Sequence, residues 1–287
     1  TLYHNISGTW KSNVTITNAA SGVSNSFPQL IVNNFFFVWD AECNDLAGNK
    51  AFNGSNFSAR IDTITNGTCD DGDNLTECTI LTRKGIRNAS ILQYNVLRIK
   101  DGGALVNETP TAFFKINATS IIIESGGRIQ GNVNITAVNV TIFSGGLINA
   151  TGLGFRNGSG PGKGEEGADF ISAAGGGYGG RGGDGTNSGG SPASLGGAIY
   201  GSLFNPVDLG SGGGSDVDAC VSISGTIEAF GGGFIFINVT NALNISGNIQ
   251  AMGVNGSAKG SGGGSGGSIW IITSDITGAG TINASGG

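Results

Sequence analysis

Apolar and polar residues alternate with a period of two over much of this chain. Near the start, Leu2, His4 and Ile6 alternate with their neighbours, which is typical of short β-strands. A continuous apolar run follows at Phe35–Trp39. Such a run predicts a buried core strand, with an exposed contact patch as the alternative. The first part of the chain is therefore expected to be a set of short strands.

From residue 95 onward a longer unit recurs: an alternating strand, a tight glycine turn, a second short strand and another glycine turn. Gly102, Gly126 and Gly145 occupy equivalent turns, 24 and 19 residues apart. Such spacings without a helical pattern indicate a β-solenoid, whose stacked coils bury Ile, Val and Leu side chains that no single coil can bury. The predicted fold class is all-β: a parallel β-helix preceded by a small β-rich N-terminal region. Copies of the unit begin near Asn95, Ser120, Asn139, Val221, Leu243 and Ile276.

Glycine is distributed unevenly and marks the expected domain boundary. Of the 55 glycines, seven lie in the first 100 residues. We therefore expect a β-rich region with a disulfide hairpin at residues 1–90 and a Gly-rich parallel β-helix at residues 91–287. Residues 152–216 form a Gly-rich insertion that is either a flexible linker or an ordered loop along the β-helix. Interleaved apolar residues such as Leu195 and Tyr200 favour the ordered loop.

The glycine-rich motifs resemble those of a known class of protein. Residues 175–185 read GGGYGGRGGDG, residues 209–214 read LGSGGG, and residues 262–271 read GGGSGGSIWI. These motifs are similar to the Gly-rich β-helix regions of very large secreted and cell-surface proteins, over residues 95–287. The resemblance implies a right-handed parallel β-helix with a structural, adhesive or appendage role, and it does not imply an enzyme.

Charge and hydropathy exclude several classes of partner. Only 12% of residues are charged, the net charge is −6 and the pI is about 4.7, so no basic groove suits nucleic acid. The chain has no run of about 18 apolar residues, and we expect no membrane span. Because the chain starts at Thr1 without a signal peptide, we expect a processed chain or part of a longer one.

Asn-X-Ser/Thr triplets, which accept N-linked glycans, are more frequent than chance. Seventeen of the 29 asparagines open such a triplet, whereas the Ser and Thr content gives about five by chance. We expect a heavy coat of N-linked glycan and an extracellular or cell-surface location. The alternative is that Asn and Thr are simply common on a β-rich surface. The predicted glycosylation sites are Asn5, Asn13, Asn53, Asn56, Asn66, Asn74, Asn88, Asn107, Asn117, Asn134, Asn139, Asn149, Asn157, Asn238, Asn244, Asn255 and Asn283.

The four cysteines predict two disulfides in an oxidising compartment. Cys69 and Cys78 are near enough to close a small loop. Among the three connectivities we therefore expect Cys69–Cys78 with Cys43–Cys220. A zinc site is the weaker alternative, because no CxxC motif is present and the chain has a single His.

An acidic cluster lies inside the predicted small loop. Its members Asp70, Asp71, Asp73 and Glu77 offer oxygen ligands for calcium. A solvated acidic hairpin is the favoured alternative, because the spacing is not that of an EF-hand and the triplet at Asn74 places a glycan in the same loop. No other cofactor is expected.

No constellation of residues predicts catalysis. Arg98-Ile99-Lys100 and Asp70-Asp71 match two motifs of polygalacturonase-like enzymes, but the other two motifs are absent and His4 is the only His. The repeats offer isolated acids rather than the paired carboxylates that glycoside hydrolysis needs. The GxGxxG pattern at residues 162–167 opens no helix after a strand, so it predicts no dinucleotide site. We expect no enzyme.

The triplets leave a gap that predicts a protein–protein contact. None lies between Asn157 and Asn238, and bulky glycans are incompatible with a packed interface, so we expect a contact at residues 160–235. The final repeat predicts an unpaired strand edge, to which the first residues of a neighbouring copy can add a strand. The alternative is that the protein continues with further coils. The predicted interface residues are Tyr178, Tyr200, Phe204, Leu2, Tyr3 and Ile6.

These patterns together predict a secreted, heavily N-glycosylated structural protein. Its partners are expected to be copies of itself, assembled head-to-tail into an extracellular filament or surface appendage. One alternative is an adhesin or carbohydrate-binding module with an extracellular polysaccharide as partner. A polysaccharide-degrading enzyme is the least favoured alternative.

Overall fold

The computed structural model describes residues 2–4, 11–14, 35–44, 50–52, 57–61, 69–73, 76–87, 91–109, 112–168, 171–215, 229–256 and 260–287. The chain divides into two compact units, Thr1–Asn66 and Gly67–Gly287, whereas the composition placed the boundary after residue 90. None of the described residues is helical.

The first unit is an antiparallel sheet organised by one long strand. That strand, β3, pairs with β1, β4 and β5, and β1 lies between β2 and β3. The apolar run Phe35–Trp39 opens β3, since aromatic and β-branched residues favour an extended backbone. The strands are β1 Leu2–His4, β2 Lys11–Val14, β3 Phe35–Asn44, β4 Lys50–Phe52 and β5 Phe57–Ile61.

The second unit contains a sheet of long strands, here called the long sheet. Its neighbours lie in the order β19-β17-β13-β11-β9-β7-β6, and all pair in parallel except β6, which is antiparallel to β7. The strands are β6 Asp71–Gly72, β7 Glu77–Ile80, β9 Ile91–Ile99, β11 Phe113–Ile123, β13 Asn132–Ile142, β17 Phe234–Ile245 and β19 Ser268–Thr277.

Short strands of the second unit form another sheet, here called the short sheet. All its pairs are parallel, in the order β20-β18-β14-β12-β10-β8, so most long strands are followed in the chain by a short one. A separate antiparallel hairpin joins β15 to β16. The strands are β8 Arg83–Ile86, β10 Ala104–Asn107, β12 Arg128–Gln130, β14 Leu147–Asn149, β15 Gly185–Thr186, β16 Pro192–Ser194, β18 Asn248–Gln250 and β20 Thr281–Asn283.

The turns between long and short strands use glycine for its backbone freedom. Gly102, Gly126 and Gly145 have φ angles of 77°, 78° and 84°. Residues with a Cβ rarely adopt this left-handed region, so the equivalent spacing of these glycines in the sequence reflects equivalent turns.

The parallel register stacks aliphatic side chains of successive strands into buried columns. Each strand contributes one residue to each column, because side chains at alternate positions share a face. All members of the columns named here are fully buried. The long-sheet column is Leu97–Ile121–Val140–Leu243, and the short-sheet column is Leu105–Ile129–Ile148–Ile249.

The prediction of a right-handed parallel β-helix as the fold class is wrong. The described strands belong to separate sheets of mixed direction: β6 runs antiparallel to β7, β15 to β16, and the first unit is antiparallel throughout. Parallel neighbours β13 and β17 are separated in the chain by residues 143–233, so the short repeat is interrupted there and resumes at β17. Glycine turns fix where strands end but not which strands pair. The result is parallel sheets with antiparallel edges, as in α/β proteins, but without helices among the described residues.

The glycine-rich segment, residues 152–215, is held together by backbone hydrogen bonds rather than by strands. The amide of Gly210 donates to the carbonyl of Gly232 (2.8 Å), that of Gly213 to Ala229 (3.0 Å), and that of Gly214 to Ala174 (2.9 Å). One short stretch, residues 210–214, is thus bonded to two others, at residues 229–232 and at Ala174. These bonds make the described insertion an ordered part of the second unit.

Most glycines of this segment are needed because another backbone lies where a side chain would be. A Cβ on Gly212 would overlap the carbonyl group of Arg156, and a Cβ on Gly197 would overlap that of Gly162. Gly180 is different, since nothing lies within 4 Å of the position its Cβ would take. Glycine therefore acts here as a packing residue.

Gly212→Ala is expected to destabilise the second unit by about 3 kcal/mol, because a methyl group forced against a fixed carbonyl strains a closely packed region. Gly180→Ala is the matched control and should leave the midpoint of thermal unfolding unchanged or slightly raised. Differential scanning calorimetry of both variants checks this. Equal, small effects at the two positions would contradict a backbone-packed segment.

Candidate functional site

The buried columns end without a cover on one side of the second unit. The next member of the long-sheet column is Ile276 of β19, which is 52% exposed, and the next member of the short-sheet column is Ile282 of β20, which is 49% exposed. No described strand pairs with the outer edges of β19 and β20. We call this region the open end; its depression of about 200 Å³ is lined by Ile245, Ile276, Thr277, Gly278, Gly280 and Ile282.

The opposite side of the long sheet is closed by the β6–β7 hairpin. Cys69 and Cys78 form a disulfide across this hairpin, as their spacing predicted. Cys78 continues the long-sheet column as the partner of Leu97, and it is fully buried. The disulfide therefore caps the core at the closed end.

Asp70 links the closed-end hairpin to the strands beside it. Its carboxylate accepts hydrogen bonds from the amides of Leu81 (2.6 Å) and Thr82 (2.8 Å), and it lies 2.6 Å from the Lys84 ammonium. Burial by itself raises the pKa of Asp70, but Lys84 and the two amides outweigh it and hold the pKa well below its usual range. The ionised carboxylate is thus part of the cap.

Arg98 extends this polar network across the outer face of the long sheet. Its guanidinium contacts the carboxylates of Glu77 (2.6 Å) and Glu124 (2.9 Å). Hydrogen bonding to Arg98 lowers the pKa of Glu77. Arg98 is therefore held in an ion-pair ladder with acidic side chains of the neighbouring chain segments.

The calcium hypothesis remains untested. Asp70 and Glu77, two of its proposed ligands, each contact a cation of the protein, Lys84 and Arg98. In the part of the chain that the structure describes, no group of three or more acidic, His or Cys side chains comes together to hold a metal ion.

Five predicted glycosylation sites share the outer face of the long sheet. In Asn134-Ile135-Thr136, the apolar residue is buried while Asn134 and Thr136 face outward, and the other four repeat an outward Asn followed by an inward residue. An amphipathic strand therefore generates such triplets through its own alternation, which contributes to their excess. The five are Asn117, Asn134, Asn139, Asn238 and Asn244.

Other predicted sites end short strands or lie in loops. Asn107, Asn149 and Asn283 each accept a 2.9 Å hydrogen bond on Oδ1 from the amide of the Ser or Thr in their own triplet. Asn157 accepts one from the amide of Ala229 (2.6 Å), and Asn255 is exposed. Outside the described side chains lie Asn5, Asn13, Asn53, Asn56, Asn66, Asn74 and Asn88.

The two tyrosines predicted at an interface lie inside the second unit. Tyr178 is 8% exposed, and its ring centroid is 4.8 Å from that of Tyr200. The Tyr178 hydroxyl is hydrogen-bonded to Ser268 (2.6 Å), and the Tyr200 hydroxyl to Ser211 (2.8 Å). Burial raises the pKa of Tyr200 to about 12. These rings anchor the glycine-rich segment to β19 and leave little surface for a partner.

The remaining predicted interface and disulfide residues are placed differently. Phe204 is 88% exposed, as is its neighbour Leu203. Leu2 and Tyr3 belong to β1, which is paired on both edges and offers no free edge. Ile6 and Cys220 lie outside the described residues, so the Cys43–Cys220 disulfide stays a prediction.

Two features of the site were not predicted from the sequence. One is the continuation of buried columns into Ile276 and Ile282, which requires the strand register. The other is an aromatic pair on the outer face, Phe236 and Trp270, whose ring centroids are 4.9 Å apart. Both residues sit at alternate positions of apolar runs, and this pattern alone does not tell inward from outward.

The chain has no match among known protein families, curated proteins or solved structures. The resemblance to large secreted proteins therefore has no support from these comparisons. Among the described residues, no helix is long and apolar enough to cross a membrane.

Asp70→Asn is expected to lower the stability of the second unit by about 2 kcal/mol at pH 7, because a neutral amide loses charge-assisted hydrogen bonds. The pKa of Asp70 is lower in the folded than in the unfolded chain. Its stabilisation is therefore present above about pH 4 and is lost as the pH falls towards the folded pKa. Thermal melts between pH 7 and about pH 2 should show the wild type approaching the variant.

Asp71→Asn is the control for this experiment, since Asp71 is exposed and accepts a bond from the adjacent Gly72 amide (2.9 Å). It should change stability by less than about 0.5 kcal/mol. A difference between wild type and Asp70→Asn that is the same at every pH would speak against the ionised cap.

Proposed function

We propose that this chain is a secreted, N-glycosylated structural protein whose copies assemble head-to-tail into an extracellular filament or surface appendage. The observation that carries the proposal is the open end, where two core columns finish on the half-exposed side chains of Ile276 and Ile282. An open apolar column beside two unpaired strand edges favours association with another chain.

The energetics favour covering the open end. Completing the burial of Ile276 and Ile282 contributes about 1 kcal/mol each, since full burial of such a side chain is worth about 1.5–3 kcal/mol. The edge of the ten-residue strand β19 adds unpaired backbone groups that a partner can bond. At the closed end the hairpin covers the long-sheet column, and the short-sheet column meets Lys84 beside Asp70 rather than an open apolar side chain.

The complementary surface on the next copy is assigned to the loop that carries Leu203 and Phe204. Both side chains are 88% exposed, and the loop lies within the stretch without glycosylation triplets. The open end and this loop consist of different residues, so their contact is heterologous and generates a linear assembly unless the rotation between copies closes a ring. The strand-donor role considered for Leu2 and Tyr3 is not needed.

Assembly is tested with three single variants followed by sedimentation velocity and negative-stain imaging. Ile282→Asp and Phe204→Asp should each abolish fibres and leave monomers, because a charge in either apolar surface is costly to bury. Phe143→Asp is the control: Phe143 is also 49% exposed but lies in the turn after β13, away from both surfaces. It should leave the fibres intact.

Mixing the two defective variants tests the head-to-tail arrangement. Each retains one working surface, so an equimolar mixture should form dimers but no fibres. Fibres of either single variant would contradict these surfaces, and a wild type that stays monomeric at all concentrations would contradict the proposed function itself.

Glycosylation is tested by intact mass. The chain from a glycosylating eukaryotic host should exceed its sequence mass of 28.7 kDa and return near it after enzymatic removal of N-glycans. A mass equal to that of the sequence before treatment would contradict the glycoprotein proposal, and the strand alternation would then account for the triplets.

A carbohydrate-binding module is a second candidate, favoured by the partly exposed pair Phe236–Trp270. Aromatic rings on a sheet surface can pack against sugar rings, and polar side chains such as Asn134 and Asn238 lie next to this pair in the register. Binding of soluble glycans by the monomer would support it.

A further inference from the structure

We infer that the N-glycan on Asn238 packs onto the chain's own aromatic surface, formed by Phe236, Trp270 and Ile272. The inference rests on the proposed glycosylation and names the contact that one glycan makes. It also assigns an occupant to an apolar surface on the outer face of the long sheet.

The register brings these residues to one place. Phe236 and Asn238 are two residues apart on β17 and face outward together, about 7 Å apart. Asn238 is the Cα partner of Ile272 on β19, and Phe236 is the partner of Trp270, about 5 Å across the sheet. Asn238 therefore has an apolar side chain along its own strand, one directly opposite and one on the diagonal.

The three apolar side chains are left partly open by the rest of the chain. Ile272 is exposed, while Phe236 and Trp270 are partly exposed and contact each other. On the same face, Phe234 is already covered, with its ring 5.4 Å from that of Phe113. The apolar surface that no other protein side chain covers thus lies next to the Asn238 amide.

The chemistry of the first sugar fits this surface. A pyranose ring has one face made of C–H groups, which packs against the electron-rich face of an aromatic ring. The sugar linked to the Asn238 side-chain nitrogen lies within reach of residues 5–8 Å away, and its hydroxyl groups remain in water. Burial of aromatic and aliphatic surface under a sugar stabilises the sheet edge at β19.

The other glycosylation triplets of this face lack such surroundings. Asn117 has Lys115 two residues before it on β11, and its Cα partners are Gln93 and Thr136. Asn134 has Phe236 as its Cα partner and Phe113 and Phe234 on the diagonals, but Phe113 and Phe234 pack against each other and Phe234 is buried. Asn238 differs because it borders the exposed Ile272 and the partly exposed Trp270, and Asn117 supplies the matched control.

The test compares chains made with and without N-glycosylation. Thr240→Val removes the Asn238 triplet while keeping the side-chain shape, and Thr119→Val does the same for Asn117. In the glycosylated background, Thr240→Val should lower the Tm by about 2–4 °C, the effect of losing one aromatic contact in a unit of this size. Thr119→Val should change it by less than about 2 °C. In the unglycosylated background the two variants should differ little from wild type.

The fluorescence of Trp270 gives a second readout, which reports whether the sugar covers the ring and does not change with the stability of the fold alone. Its contribution is isolated by subtracting Trp270→Phe from wild type, because Trp10 and Trp39 also emit. Acrylamide should quench Trp270 more in Thr240→Val and in the unglycosylated chain than in the glycosylated wild type. Quenching that is equal in all three would overturn the inference.

Site-specific mass spectrometry distinguishes failure of this inference from failure of the glycoprotein proposal. Glycans elsewhere but none on Asn238 would overturn this inference and leave the glycoprotein proposal standing. No glycan at any site would overturn both. Binding of free oligosaccharides by the glycosylated wild type, lost in Trp270→Ala, would also overturn the inference, because the aromatic surface would then be open to external ligands.

Discussion

The parallel register that stacks aliphatic side chains into columns is the constraint on which the second unit depends. Each strand adds one residue to every column, and no residue of a column is buried without a neighbour on both sides. A column of this kind needs a cover at each end to bury its last member. The Cys69–Cys78 hairpin provides one beside Leu97, whereas Ile276 stays half exposed at the other end. Within the described residues, the two ends of this core are therefore chemically different.

The glycine-rich segment solves the packing problem in another way. Its stretches lie so close that a Cβ on Gly197 or Gly212 would overlap a carbonyl of another stretch, so backbone groups rather than side chains fill the interior. Few apolar side chains are therefore needed to hold the segment together. Tyr178 and Tyr200 turn inward and anchor it, while Leu203 and Phe204 remain on the surface. An ordered segment with spare apolar side chains is suited to contact.

Local patterns could be predicted from the sequence, whereas long-range pairing could not. The glycine turns at Gly102, Gly126 and Gly145 and the Cys69–Cys78 disulfide depend on neighbouring residues, and spacing was enough to place them. The fold class was wrong because local patterns do not show the antiparallel pairs, β6 with β7 and β15 with β16, that accompany the parallel sheets. The position of an aromatic residue was mispredicted for a related reason: Tyr178 was expected at an interface and is buried. Composition does not tell that Tyr178 faces inward and Trp270 outward, because the direction of a side chain follows from register.

The glycosylation triplets acquire a different meaning once they are placed on strands. Alternation of outward Asn and Thr with inward Ile or Val produces triplets such as Asn134-Ile135-Thr136 for structural reasons. Glycans on that face would nevertheless have a physical consequence, since a hydrated layer there prevents lateral contact between sheets. Association would then be directed away from that face, to surfaces such as the Phe204 loop, which lies in the stretch without triplets. A sugar over Phe236 and Trp270 would also cover the apolar surface next to the edge of β19, so that this surface would not be free to bind another chain.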